Sequence, residues 1–272
     1  MEASQRTGAP RDRDLLSACV AGAIRAAEIV RASAATASTL DWREKSRSDF
    51  VTEVDEKAER ALSEAICTAI PGAIIVGEEL APELPAQTGA PVFIADPLDG
   101  TTNFLHGYPW YAVSIGAMLG GELRAGAVLN VATGEMFTAT LGGGARKNGQ
   151  PIAVSQVTDP HRALLGTGFP FKHPDLIAPY LETLPRLLSG TSGIRRAGSA
   201  ALDLADVACG RFDAFWELML APWDVAAGIL LVREAGGLVT DLAGQQASVS
   251  HTGIIAGNPA MHAWLFEQLR SQ

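Results

Sequence analysis

Cysteine is scarce, aromatic side chains are few and positive charge is outweighed by negative. Cys19, Cys67 and Cys209 are the three cysteines. Each sits in an alanine-rich apolar neighbourhood, so packed thiols in a reducing cytoplasm are expected rather than disulfides or a thiolate metal site. His106, His161, His173, His251 and His262 are scattered without ligand spacing, and no Gly-x-Ser-x-Gly elbow occurs. Zinc chemistry and a covalent serine or cysteine nucleophile therefore lack the residues they need. The formal net charge of -9 disfavours nucleic acid, a partner that needs clustered Lys and Arg to displace counterions. No apolar run approaches a bilayer span and the first residues lack a secretory apolar core, so neither a membrane segment nor export is expected.

What is plentiful is apolar surface: 47% of the 272 residues are hydrophobic against 19% charged, enough chain for one large or two fused domains. The organising stretch is Phe93-Ile94-Ala95-Asp96-Pro97-Leu98-Asp99-Gly100-Thr101-Thr102-Asn103-Phe104. Val92 to Ala95 reads as a buried strand that Pro97, having no N–H to donate, brings to an end. The strand delivers Asp96 and Asp99 with the Leu98 carbonyl between them, and oxygen-only donors select magnesium, manganese or calcium over zinc. Gly100 allows close backbone approach. If Thr101-Thr102-Asn103 opens a helical turn, its free N–H groups point toward the metals, where a phosphate would be held. An isolated Asp-x-x-Asp would read as a polar turn with an Asx cap; the accompanying strand, proline, glycine and threonines favour the metal platform.

The string Asp96 to Phe104 resembles the metal-binding signature of the inositol monophosphatase family, and further segments match that family in order and spacing from about Asp41 to Pro259. The resemblance implies an α/β (α+β) fold, the layered αβαβα sandwich of the sugar-phosphatase type. An antiparallel sheet would occupy the N-terminal half and a mixed sheet the C-terminal half. The implied activity is magnesium-dependent hydrolysis of a phosphate monoester.

Outside the central string each candidate has a plainer reading beside the implied one. Thr52 with Asp55 has the form of a capping box; in the family pattern Asp55 is an outer carboxylate reaching a weakly held metal through water, and Lys45 neutralises the acidic cluster or steadies a loop. Glu78, after a short strand over Ala73 to Val76, could be a solvated loop residue; the resemblance makes it a metal ligand that orients the attacking water together with Thr101. Leu80 stands where many members carry serine. Asp224 in Pro222-Trp223-Asp224 could be a helix N-cap; the resemblance makes it the metal ligand of the C-terminal half. Arg195 and Arg196 could be partners of surface carboxylates, next to a Gly198-Ser199-Ala200 turn that matches a pocket-lining segment. The implied ligands of two or three magnesium ions are then Glu78, Asp96, the Leu98 carbonyl, Asp99 and Asp224, with Glu78, Thr101 and Asp55 catalytic. Substrate would meet Asp99, Gly100, Thr101, Arg196, Gly198, Ser199, Ala200, Glu217 and Asp224, with Glu217 accepting a hydroxyl hydrogen bond.

Helical spacing predicts a first helix from Asp14, after a disordered start over about Met1 to Pro10, and a second after Asp55. From Trp110 to Ser155, short strands separated by glycine turns and Asn148-Gly149 predict an antiparallel meander. Strands and helices then alternate, so halves 1–155 and 156–272 are expected, sharing a site in their seam. The resemblance implies a small phosphorylated polyol or sugar as substrate, inositol 1-phosphate first, together with a homodimer and lithium inhibition. Relatives on this fold act on fructose 1,6-bisphosphate, histidinol phosphate or a 3′,5′-bisphosphonucleotide; Thr102 stands where the nucleotide type typically has lysine. Some bacterial relatives resemble regulatory binding proteins of transcription or ribosome assembly.

Overall fold

A computed structural model describes residues 9–35, 37, 42–46, 49–81, 83–85 and 89–270, with only the backbone at 44–46, 49 and 50. The expectation for Met1 to Pro10 therefore falls almost wholly outside the described residues, and that for the Lys45 side chain falls outside them altogether.

Helix α1 (Asp12–Ala34) follows the predicted stripe, burying Leu15, Ala18, Cys19, Ala23, Ala26, Ala27 and Val30. A two-stranded ribbon, β1 (Trp42–Ser46) and β2 (Asp49–Thr52), runs straight into α2 (Glu53–Ala69). The first large sheet holds β3 (Ile74–Gly77) and β4 (Val92–Asp99), followed by the short helix α3 (Thr101–Leu105). It continues through β5 (Ala112–Leu119), β6 (Glu122–Asn130), β7 (Met136–Thr140), β8 (Gly144–Lys147) and β9 (Gln150–Pro151). These seven strands lie in chain order, parallel for β3 with β4 and antiparallel for every other pair. The second sheet is mixed. It holds β10 (Leu164–Thr167), then beyond α4 (Ile177–Gly190) β11 (Gly193–Arg195), beyond α5 (Ala200–Ala208) β12 (Ala214–Leu220), and beyond α6 (Pro222–Glu234) β13 (Leu238–Thr240) and β14 (Thr252–Gly257); α7 (Pro259–Arg270) follows. Its order is β11-β10-β12-β14-β13.

Three hydrophobic cores separate five layers. One lies between α1, α2 and the first sheet, the next fills the space around α5 and α6 between the sheets, and the third lies between the second sheet and α4 with α7. This is the αβαβα sandwich. A sheet covered on both faces wants continuously apolar strands, and all eight residues of β4 are buried. No helix among the described residues is long and apolar enough to cross a membrane.

Two expectations are corrected. β4 does not end at Pro97: pairing with β5 places Asp96 opposite Ser114 and resumes at Asp99 opposite Ala112. One extra residue is accommodated as a bulge, the usual place for a strand proline with no N–H to give. Nor are all three thiols packed: Cys19 is buried and Cys209 half-buried, but Cys67 is exposed, on the face of α2 away from Val54, Ala58, Leu62 and Ile66.

Helix α6 lies unusually close to the first sheet because Gly116 and Gly126 face it. A Cβ at Gly116 would sit 2.7 Å from the Ala226 Cβ and 3.0 Å from the Ala226 carbonyl carbon; at Gly126 it would sit 3.1 Å from the Ala227 Cα. Backbone on the far side has little room to yield, so Gly116→Ala is expected to destabilise the fold by about 1–3 kcal/mol, read as a lower urea midpoint at unchanged slope.

Candidate metal centre

The parallel register pairs Gly77 with Ala95, so the next residues, Glu78 and Asp96, leave adjacent strands side by side, and the Glu78 N–H donates to the Ala95 carbonyl at 3.3 Å. The β4 bulge carries Asp96 and Asp99. Pro222 opens α6 where a missing N–H is harmless, which puts Asp224 in its first turn. One carboxylate oxygen from each of Asp96, Asp99 and Asp224 lies within 4.8 Å of the other two. Glu78 stands outside this trio yet acts as a neighbouring like charge on all three.

Each aspartate accepts from a backbone N–H. Asp96 Oδ1 accepts from Leu98 N at 2.8 Å and Asp224 Oδ2 from Ala221 N at 2.7 Å; Asp224 is thus not the N-cap, which is Ala221, but reaches back to it. Asp99 Oδ2 accepts from Ser199 Oγ and Ala201 N, both at 2.7 Å, at the start of α5. Burial, and then the charges of Glu78, Asp99 and Asp224, hold the Asp96 carboxyl well above its usual range. Burial pushes Asp99 up to about 6, moderated by its bonds to Ser199 and Ala201. Asp224 is raised by burial and then by Asp99 and Glu78. Among the described residues no Lys or Arg forms an ion pair with these three aspartates. A buried to half-buried set of hard oxygens with no ion-paired Lys or Arg among the described residues fits a divalent metal such as magnesium.

Asp55 serves as capping residue and site neighbour at once. Its Oδ2 accepts from Thr52 N at 2.9 Å and Thr52 Oγ1 at 2.6 Å, while its Oδ1 lies 3.1 Å from Thr101 Oγ1. Burial raises its pKa against these hydrogen bonds. Thr101 Oγ1 is also 3.1 Å from the Leu98 carbonyl, so that carbonyl, on a residue only 1% exposed, is shared rather than open.

Gly100 adopts φ +100°, and a Cβ there would lie 3.1 Å from the Trp110 carbonyl oxygen and 3.3 Å from that of Gly198. The expected close approach is therefore between two turns of the protein, held by Asn103 Nδ2, 2.7 Å from the Trp110 carbonyl and 2.9 Å from that of Ala197. Among the described residues Arg196 forms no ion pair with a surface carboxylate: its guanidinium lies over Phe171 and Phe169, 5.1 and 5.7 Å from the ring centroids. It also attracts Glu217, which burial pushes up to about 8, with Arg196 opposing and Asp99 adding to the rise. The Glu217 carboxyl lies against Gly168, where an added Cβ would fall 2.0 Å from its Cδ.

Comparison with known proteins decides what this arrangement belongs to. The family model of the inositol monophosphatase family matches residues 12–272. The chain belongs to the inositol monophosphatase family. Among curated relatives it is similar to the Nus factor SuhB of Pseudomonas aeruginosa, 44% identical over 90% of this chain and 91% of that one. It is also similar to the inositol-1-monophosphatase of Rhizobium meliloti, 41% identical over 90% and 91%. Among solved structures, the extragenic suppressor protein suhB from Bartonella henselae superposes with a TM-score of 0.88 at 39% identity, covering 94% of this chain and 98% of that one. The Thermotoga maritima IMPase does so at 0.84 and 31%, covering 94% and 96%. For this family member, the five-layer sandwich and the acidic cluster at the β4 bulge agree with the family.

Four buried acids escaped sequence reading: Asp206, Asp213, Glu59 and Asp203, the last two the most deeply buried. Glu59 is 1% exposed on α2, and Asp203 is 1% exposed on α5, its Oδ1 without a hydrogen-bond partner and its pKa held well up by burial and then by Glu217. The available signal was a charge interrupting an apolar stripe: Glu59 beside Ala58 and Leu62, Asp203 between Leu202 and Leu204.

The raised Glu217 pKa makes folding pH-dependent. The folded state keeps a proton that the unfolded chain releases near its ordinary 4.5. The associated stability is full below that value and is lost as pH rises through about 8. In metal-free protein, melting temperature should therefore fall more steeply between those limits for wild type than for Glu217→Gln.

Proposed function

We propose that this family member is a magnesium-dependent phosphate monoester hydrolase acting on inositol 1-phosphate or a similar polyol or sugar monophosphate. The observation that carries this reading is the convergence of Asp96, Asp99 and Asp224 within 4.8 Å in a family that uses magnesium. When bound by Glu78, Asp96, Asp99, Asp224 and the Leu98 carbonyl, two or three magnesium ions would supply charge for the phosphate and leaving alkoxide and an acidified water. The chain's own groups do the rest. Thr101 has one hydroxyl proton to donate, to Asp55 or the Leu98 carbonyl, so its lone pairs remain to accept from a water and orient it together with Glu78. Asp55, its basicity increased by burial, takes up through Thr101 the proton that water gives up. No residue needs to become covalently attached. At the alcohol end, Glu217, Arg196 and the Gly198-Ser199-Ala200 turn meet hydroxyls; below about pH 8 the Glu217 carboxyl can donate as well as accept. The reading takes halves 1–155 and 156–272 as contributors to one site in a cytoplasmic homodimer that lithium inhibits.

A second reading draws on the relatives that bear the name Nus factor: a regulatory binding role in transcription or ribosome assembly beside catalysis. The net charge of -9 directs that role toward protein rather than nucleic acid surfaces.

Phosphate release from inositol 1-phosphate should require added magnesium, and Asp96→Asn should lower kcat by about two orders of magnitude or more with the fold intact by circular dichroism. Full turnover in excess chelator would overturn the assignment. Comparison of kcat/KM with fructose 1,6-bisphosphate, histidinol phosphate and a 3′,5′-bisphosphonucleotide tests the substrate. A tenfold preference for one of these, about 1.4 kcal/mol, would move the assignment to that substrate while leaving the metal chemistry standing. Light scattering at micromolar concentration should give the mass of a dimer.

A further inference from the structure

Helix α2 reaches the candidate metal centre twice. Asp55 and Glu59 are one helical turn apart and so share a face. Asp55 meets Thr101, and Glu59 meets the turn that carries Glu78. Within that turn every backbone N–H from Gly77 to Leu80 is accounted for. Gly77 N donates to the Ala81 carbonyl at 3.1 Å and Glu78 N to the Ala95 carbonyl at 3.3 Å. Glu79 N donates to Glu59 Oε2 at 2.8 Å and Leu80 N to Glu59 Oε1 at 3.0 Å. The two carboxylate oxygens thus clasp consecutive amides immediately after Glu78, from a side chain only 1% exposed.

Gly77 makes the clasp possible. An added Cβ would lie 2.1 Å from Glu59 Oε1, 2.3 Å from its Cδ and 2.7 Å from its Oε2. The glycine is needed there for space, since a carboxylate is packed onto the strand backbone at the point where β3 becomes the turn. An apolar residue at position 59 would fill the volume but remove the acceptors that the part-buried Glu79 and Leu80 amides now share, leaving the turn without its anchor.

We propose that Glu59 is a positioning residue: by accepting from the Glu79 and Leu80 amides it fixes the turn that holds Glu78 against Asp96 and Asp99, and so sets the affinity of the site for magnesium. The proposal rests on the reading of Glu78 as a ligand. Partners that orient a ligand commonly change metal affinity when altered, while leaving the ligand itself in place.

The test is magnesium binding by titration calorimetry, with the magnesium dependence of phosphate release measured in parallel. Glu59→Gln keeps one acceptor oxygen and turns an NH2 toward the other amide, so it should weaken magnesium binding by about tenfold or more, with kcat at saturating magnesium close to wild type. Gly77→Ala should weaken binding similarly by displacing the Glu59 carboxylate, yet add little further loss in a Glu59→Ala background, where the clash is gone. Folded Glu59→Gln and Gly77→Ala proteins that bind magnesium like wild type would overturn the positioning role while leaving the metal reading intact. Loss of fold in both variants would also overturn it, assigning Glu59 to the core alone. Absence of magnesium binding in wild type would overturn the metal reading and this proposal with it.

Discussion

Carboxylate oxygens within 4.8 Å of one another, as in Asp96, Asp99 and Asp224, repel as unit charges by about 1 kcal/mol in water and about 3 at an effective dielectric near 20. Burial adds to that cost, and Glu78 adds another like charge to each of the three. Side chains so placed would turn outward to solvent if they were free to do so. They are not free, because Asp96, Asp99 and Asp224 each have an oxygen engaged by a nearby N–H. The strand bulge, the first turn of α6 and the start of α5 supply these donors, so local backbone structure opposes the repulsion until a cation can cancel it.

The same constraint explains where the fold is tight. Asp224 arrives on α6, which can reach Asp96 only by lying close to β5 and β6, where Gly116 and Gly126 remove the side chains that would hold it off. Glu78 arrives on a turn whose backbone is packed against a second, buried acid. Asp99 is reached from the start of α5 by Ser199 and Ala201. The central hydrophobic core, running from Val76, Ile94 and Val128 through α5 and α6 to Phe215 and Ile254, fixes these distances. Packing supplies the rigidity and the hydrogen bonds supply the aim.

Much of this was legible in the chain, unevenly and for physical reasons. Helical stripes over Leu15 to Val30 and the glycine-punctuated strands after Trp110 depend on local periodicity, and they fall where expected. The meeting of Asp99 with Asp224 has no local signature, and it came from family resemblance. Pro97 misled because a missing N–H ends a strand only if that N–H is called on for pairing, and here a bulge excuses it. For Arg196 a surface carboxylate was one open reading; its guanidinium instead lies over Phe169 and Phe171 and acts on the buried Glu217. Asp55 showed that a capping reading and a site reading need not compete, since a carboxylate has two oxygens and α2 uses one for each. Glu59 and Asp203 were passed over because a charged residue within a helix is ordinarily solvent-facing.

On the proposed reading, Asp99 would join the metal end of the site to its alcohol end. Its Oδ2 is held by Ser199 and Ala201, residues of the turn and helix start that also adjoin Gly198. Gly198 is in turn drawn to the Gly100 turn through Asn103, whose two amide protons are shared among the Trp110, Ala197 and Gly198 carbonyls at 2.7, 2.9 and 3.4 Å. Any shift of the Gly198-Ser199-Ala200 turn must therefore either stretch bonds to Asp99 or move that carboxylate. Because Asp99 sits within reach of Asp96 and Asp224, the proposed alcohol recognition would be coupled to metal geometry through one side chain. Specificity in a site of that kind would not come from the pocket wall alone, since a poorly fitting alcohol that displaced the turn would also disturb the charges set to act on its phosphate.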